Sequence, residues 1–162
     1  MDSPGIDRRQ ARIARRMNVI ANRRRRPQNL WTRIHAGLYR LTRGRFVPRW
    51  FAGAPVMVLE TVGRRSGRRR AVPVLYLRDG ESFIVMASNA GTDRYPTWWL
   101  NLRDADEATI IVRGSRNRVR PRILEGTERE RLWRAFVDMY PQADEYARFT
   151  EREIPLVALE PV

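Results

Sequence analysis

Six short β-type runs follow one another between residues 56 and 160, and no other feature so narrows what this chain can fold into. They cover residues 56–62, 71–78, 82–88, 108–113, 117–124 and 154–160. Each is rich in Val, Ile, Leu or Tyr and is bounded by turn-forming residues. Asp79-Gly80 separates the second run from the third, where a two-residue type I′ turn with positive φ makes a hairpin. Gly114-Ser115 joins the fourth and fifth runs in the same way. Strands this short and this closely spaced predict a small barrel. Pro73 has no N–H to give a ladder, so its strand should be an edge, a bulge or a strand start at that point. Two helical stretches interrupt the strands. Residues 96–103 begin with Pro in a first turn. Thr127-x-x-Glu130 reads as a capping box ahead of Leu132, Trp133, Phe136, Val137 and Tyr140, with Pro141 as the stop. The expected class is mainly β with flanking helices, α+β.

At 162 residues the chain is long enough for one real core and too short for two full domains. Its net charge of +14 suggests nucleic acid until it is divided along the chain. Residues 1–50 hold 14 Arg and 2 acidic residues, while residues 51–162 hold 18 Arg and 16 acidic residues. The basicity therefore belongs to the N-terminus. The expected layout is an Arg-rich tail over 1–29 and one barrel domain over 30–162. Within the tail, Ile13, Met17 and Ile20 fall on one helical face. A firmer helix is expected over 30–43, with Trp31, Ile34, Leu38 and Leu41 aligned and Gly44 as its stop.

With no Cys, the chain has no disulfides, thiolate metal sites or cysteine nucleophile. Its single histidine, His35, lies beside the apolar stripe of the 30–43 helix and reads as a packing residue. One imidazole builds neither a Ser-His-Asp triad in the body of the domain nor a His-rich metal site, so no metal is expected. A catalyst with this composition borrows its chemistry from a cofactor. The longest apolar runs fall far short of the roughly 18 residues that span a bilayer. Residues 1–29 also lack the apolar stretch of a secretory signal, and a cytoplasmic location is expected.

The segment 63–101 carries the chemistry. Gly63 and Gly67 let the backbone turn tightly, Ser66 adds a hydroxyl, and Arg64, Arg65, Arg68, Arg69 and Arg70 supply guanidinium forks for phosphate or carboxylate oxygens. A solvated hairpin tip is the competing reading of such a run. The segment ends in Trp98 and Trp99, which on a short helix point to different faces, with Trp99 assigned to the core.

Seven motifs in one unbroken order resemble the deazaflavin-dependent nitroreductase family, whose members use coenzyme F420 on a split β-barrel like that of FMN-binding proteins. They are G-R-R-S-G at 63–67, R-x-x-P-V-x-Y at 70–76, L-R-D-G at 77–80, A-S-x-x-G at 87–91, P-x-W-W-L-N-L at 96–102, M-Y-P at 139–141 and I-P-L-V at 154–157. The resemblance implies that Arg64, Arg65, Ser66, Gly67 and Arg70 meet the phosphate and glutamate tail of the cofactor. It implies that Ala71, Val72, Pro73, Val74 and Leu75, with Met86, Ala87, Ser88 and Asn89, line the ring and its ribityl linker. Thr97, Trp98, Trp99, Leu100 and Asn101 complete that implied set. On the acceptor side it implies catalytic roles for Ser88, Tyr140 and Tyr146, whose hydroxyls would steady the acceptor or a developing oxyanion.

The implied activity is hydride transfer from reduced deazaflavin to an electron-poor acceptor such as a quinone or a nitro compound. Asn89 and Ala143 stand where relatives can carry Lys and Tyr, so the ring edge and acceptor pocket should differ here. Alternatives are FMN on the same barrel, a non-catalytic cofactor carrier, or a nucleic-acid-binding module resting on the Arg23 to Arg26 run. A basic tail would also suit peripheral attachment to an anionic membrane at the inner face.

Overall fold

The computed structural model describes residues 54–162. The expected tail, the 30–43 helix, His35 and Gly44 lie outside the described residues. Six antiparallel strands form a closed barrel in the order β1-β2-β3-β6-β5-β4. They are β1 (Val56–Val62), β2 (Arg69–Asp79), β3 (Ser82–Met86), β4 (Ala108–Val112), β5 (Ser115–Ile123) and β6 (Leu156–Pro161). Three α-helices flank them: α1 (Thr97–Leu102), α2 (Gly126–Met139) and α3 (Gln142–Arg148).

Burial of both faces explains why residues 83–86 of β3 and 156–159 of β6 are continuously apolar. Phe83 and Val85, with Val157 and Leu159, point into the barrel against Met57, Leu59, Ile110 and Val119, and Trp99 and Leu102 of α1 join this inner core. The intervening Ile84, Leu156 and Ala158 face outward and are covered by Leu132 and Phe136 of α2. Burying each of those two helix side chains is worth roughly 1.5–3 kcal/mol. By contrast β5 has one barrel-facing apolar residue, Val119, among exposed arginines. Arg131 of α2 then grips Asp79 through two bonds of 3.1 and 2.9 Å, and Arg122 joins Glu128 to Glu160. These exposed ion pairs add modestly to the apolar contacts of Leu132 and Phe136 that seat α2 on the barrel.

Both hairpins form, with their turns displaced by one residue. Asp79 pairs with Ser82, so the turn is Gly80-Glu81, and Gly80 alone has positive φ (+54°). A type I′ turn at Asp79-Gly80 is thus corrected, because Asp79 is the last ladder residue and positive φ at the first central residue alone, where Gly80 stands, is the pattern of a type II′ turn. Likewise Val112 pairs with Ser115, which makes Arg113-Gly114 the second turn, both residues left-handed. The capping box is also corrected. The helix starts at Gly126 with Glu125 as its cap residue and no side-chain cap bond, so Thr127 lies inside the first turn. Pro141 ends α2, as expected, and also opens α3.

The ladder between β2 and β3 stops at Tyr76↔Val85, whereas β1 pairs with β2 all the way from Leu75 to Arg69. The first half of β2 therefore has one open edge. Pro73 stands on that half, which is how a proline is accommodated in the middle of an eleven-residue strand.

Candidate functional site

The split beside β2 opens into a cleft of about 670 Å3. Its β-side wall is Arg70, Val72, Pro73, Val74 and Leu75, with Val56 and Thr61 from β1. Met86 and the turn Ser88, Asn89 and Ala90 face them, and Pro96, Thr97, Trp98 and Asn101 form one end. Phe136, Tyr140 and Tyr146 complete the lining from α2 and α3. An open strand edge offers unpaired backbone donors and acceptors. Here they border a space of the size that takes a drug-sized or cofactor-sized molecule.

The turn after β1 is built by its glycines. Gly63 donates its N–H to the Arg68 carbonyl at 2.8 Å, and its carbonyl accepts from Ser66 and Gly67 at 3.0 and 2.8 Å. A Cβ on Gly63 would sit 2.8 Å from Ser66 Oγ and 3.2 Å from the Arg68 carbonyl oxygen, and Gly67 has φ +63°. Asn101, buried on α1, anchors this turn from below. Its Oδ1 accepts from the Arg64 backbone N–H at 3.2 Å and from Arg64 Nη1 at 3.4 Å, while Nδ2 donates to Thr61 Oγ1 at 3.4 Å. Arg64, Arg65, Ser66 and Gly67 are exposed beyond the cleft, and Arg70 reaches its lining.

Beyond Met86 the chain leaves β3 sharply. Ser88 takes right-handed helical dihedrals, φ −71° and ψ −35°, and Asn89 and Ala90 follow as consecutive left-handed residues, with φ of 48° and 54°, so the extended strand does not run on to Ser88. Asn89 Nδ2 donates to Thr92 Oγ1 at 2.7 Å and to the Arg94 carbonyl at 2.9 Å. The Arg152 guanidinium clasps the turn from behind. Nε donates to the Thr92 carbonyl at 2.9 Å, and Nη2 donates to the Ala87 and Ser88 carbonyls at 3.1 and 2.6 Å. The same group lies 4.5 Å from the centre of the Tyr95 ring. Burial lowers its pKa from the usual arginine range, with Tyr95 and Asp93 opposing the shift.

On the opposite wall the hydroxyls of Tyr140 and Tyr146 are 3.1 Å apart. Burial, and then the bond to Tyr146, raise the Tyr140 pKa above the ordinary phenol value, so it is protonated at neutral pH. Whichever hydroxyl accepts within the pair still has its own proton to donate.

Of the residues expected at the site, Arg70, Val72, Pro73, Val74, Leu75, Met86, Ser88, Asn89, Thr97, Trp98, Asn101, Tyr140 and Tyr146 come together around the cleft. Ala71 and the half-buried Leu100 are outside its lining. Ala87 and Trp99 are buried in the inner core, and both backbone polar groups of Ala87 are used, by Pro155 and Arg152. Sequence reasoning missed Val56, Thr61, Ala90, Pro96 and Phe136. Phe136 was legible only as a core residue of α2, which it also is.

A split β-barrel with a cofactor-sized cleft and a cationic turn at its edge defines the class. The sequence model of the F420H2-dependent quinone reductases matches residues 31–161, and the chain belongs to that family. It is 36% identical over 107 residues to a Mycobacterium tuberculosis protein named as a candidate F420H2-dependent quinone reductase, spanning 66% of this chain and 90% of that one. A second protein of that organism, named an F420H2-dependent quinone reductase, is 30% identical over 132 residues, spanning 78% of this chain and 87% of that one. Among solved structures, an F420H2-dependent reductase superposes with a TM-score of 0.61 at 30% identity, over 65% of this chain and 94% of that one.

Proposed function

We propose that this chain is a reductase that uses coenzyme F420H2 to reduce quinone-type acceptors, with nitroaromatic compounds as a second acceptor class. The observation that carries the reading is the continuity of the cleft, which runs from Arg70 past the open edge of β2 to the Tyr140–Tyr146 pair. The residues present fit the cofactor. The Gly63–Gly67 turn and Arg70 would hold a polyanionic tail, and backbone groups of the open β2 edge with the Trp98 side chain would hold a planar ring with polar edges. When bound, reduced deazaflavin supplies a hydride to the acceptor.

The protein's own part is to orient and shield both molecules and to place donors. Reduction of a quinone by hydride leaves an oxyanion, and the phenol pair is poised to hydrogen-bond it. Ser88 reaches the same space, and its hydroxyl has no partner among the described residues. FMN is less well matched, because a single phosphate needs fewer cations than Arg64 to Arg70 provide. We also place residues 1–29 at the anionic inner face of the membrane, where lipophilic acceptors gather. Twelve of the fourteen surplus charges lie in the first fifty residues, and vesicle co-sedimentation with and without 1–29 tests the idea. Equal sedimentation of the two forms rejects it.

Fluorescence titration with oxidised F420, beside FMN and single-stranded DNA at two salt concentrations, tests the central reading. Preference for F420 is expected. Reversing both Arg64 and Arg65 to Glu should weaken uptake by at least one to two decades, about 1.5–3 kcal/mol for each lost charge-assisted contact. Unchanged uptake by a folded double variant refutes the assignment of the tail site.

A further inference from the structure

We propose that Arg152 is a positioning residue for the acceptor-side wall of the cleft, holding residues 87–92 in the bend that presents Ser88, Asn89 and Ala90 to the bound molecules. Two consecutive non-glycine residues in the left-handed region do not persist unless their surroundings over-determine them. The side-chain bonds of Asn89 to Thr92 and Arg94 tie the bend only to itself. Arg152, on the segment between α3 and β6, ties it to that segment, spanning from the Ala87 and Ser88 carbonyls at one end to the Thr92 carbonyl at the other.

A planar fork suits that task because its donors diverge at fixed angles. Stacking on Tyr95 and a further bond to the Glu153 carbonyl hold the guanidinium itself in place. Lysine has one point charge, with no plane to stack and no span between the two ends. The tail-side turn is independent of this clasp, since Asn101 anchors it and Asn101 and Arg152 share no partner among the described residues.

Loss of Arg152 should therefore act on the reaction more strongly than on capture of the cofactor, whose tail meets a separate turn. The turnover readout rests on the functional reading above, and an NMR readout does not. In Arg152→Met and Arg152→Lys, F420 affinity should fall less than about tenfold, because the charge-assisted contacts to the tail stay in place and only the ring contacts at Ser88 and Asn89 are disturbed. The kcat/KM for a naphthoquinone should fall about ten- to a hundredfold, the scale of a small misplacement at a reacting centre. Backbone amide resonances of residues 88–91 should shift while those of the β4–β5 hairpin stay in place. If wild type takes up F420 and both variants keep its turnover, the proposal is overturned. It is overturned equally if affinity and turnover fall in parallel with a general loss of melting temperature, or if the 88–91 amides do not move. Should Arg152→Met fail to fold, Arg152→Lys carries the same readouts. If wild type itself ignores F420, the functional reading fails and the amide comparison still decides the role of Arg152.

Discussion

Gly91→Ala tests how rigidly the cleft's two walls are locked together. Gly91 has φ +70°, and a Cβ there would lie 2.8 Å from the Tyr146 carbonyl oxygen, 3.0 Å from Tyr146 Cα and 3.0 Å from Phe149 Cβ. Backbone atoms of α3 cannot rotate aside as a side chain can. Two costs add. An L-residue in the left-handed region costs about 1–2 kcal/mol, and forcing a methyl group into a packed contact costs about 1–3 kcal/mol. Gly80→Ala provides the control, since Gly80 has φ +54° with nothing within 4 Å of the added carbon. It carries the first cost alone.

A chain of this size loses roughly 2–4 °C of melting temperature per kcal/mol. Gly91→Ala should therefore melt several degrees below Gly80→Ala in thermal scans followed by circular dichroism. Relief of the clash moves α3 away from the 88–92 turn and carries the Tyr146 hydroxyl off Tyr140, so acceptor turnover should fall further in Gly91→Ala than in Gly80→Ala. Equal melting temperatures for the two variants would show that α3 gives way freely, and the argument for a rigid contact would be lost.

Asn101→Leu leaves the buried Thr61 hydroxyl and the Arg64 N–H without their partner, at a cost of about 1–3 kcal/mol for an unsatisfied buried group. Urea unfolding should report that loss, together with weaker F420 uptake. Asn101→Asp keeps an acceptor for Arg64 and a partner for Thr61, so it should retain more of both, and no difference between the two variants would refute the anchoring role. Tyr140 gives a pH test. Its folded-state pKa is raised above the unfolded value of about 10. The native state therefore keeps a proton that the unfolded chain releases, and this contribution to stability is complete below about pH 10 and declines as pH rises beyond it. Tyr140→Phe should flatten the alkaline fall in melting temperature, and an unchanged slope counts against a buried protonated phenol.

Local chemistry explains which parts of the site were legible in the sequence. The Gly63–Gly67 turn announces itself because glycine freedom and guanidinium charge are properties of the residues themselves, and the apolar runs reveal β1 to β6 because strand burial has period two. Arg152 does not announce itself. Its partners are the carbonyls of Ala87, Ser88 and Thr92, 60 to 65 positions earlier, and a carbonyl is common to every residue type. The left-handed pair Asn89-Ala90 is hidden for a related reason, since Ala has no intrinsic preference for that region and adopts it under tertiary constraint. The displaced hairpin turns follow from the ladder registers, Asp79 with Ser82 and Val112 with Ser115, which a dipeptide alone does not fix.

The cleft itself shows how the two kinds of information meet. Pro73 marks locally where β2 can lack a partner, while the departure of the chain after Met86, into the bend that Arg152 clasps, leaves β3 too short to cover it. Had β3 run on as far as Ser88, as its apolar pattern suggests, the ladder to β2 would extend by up to three residues, as far as Pro73, and close part of the mouth. The open edge that makes room for a cofactor is thus bordered by a bend whose clasp, Arg152, no local pattern could disclose.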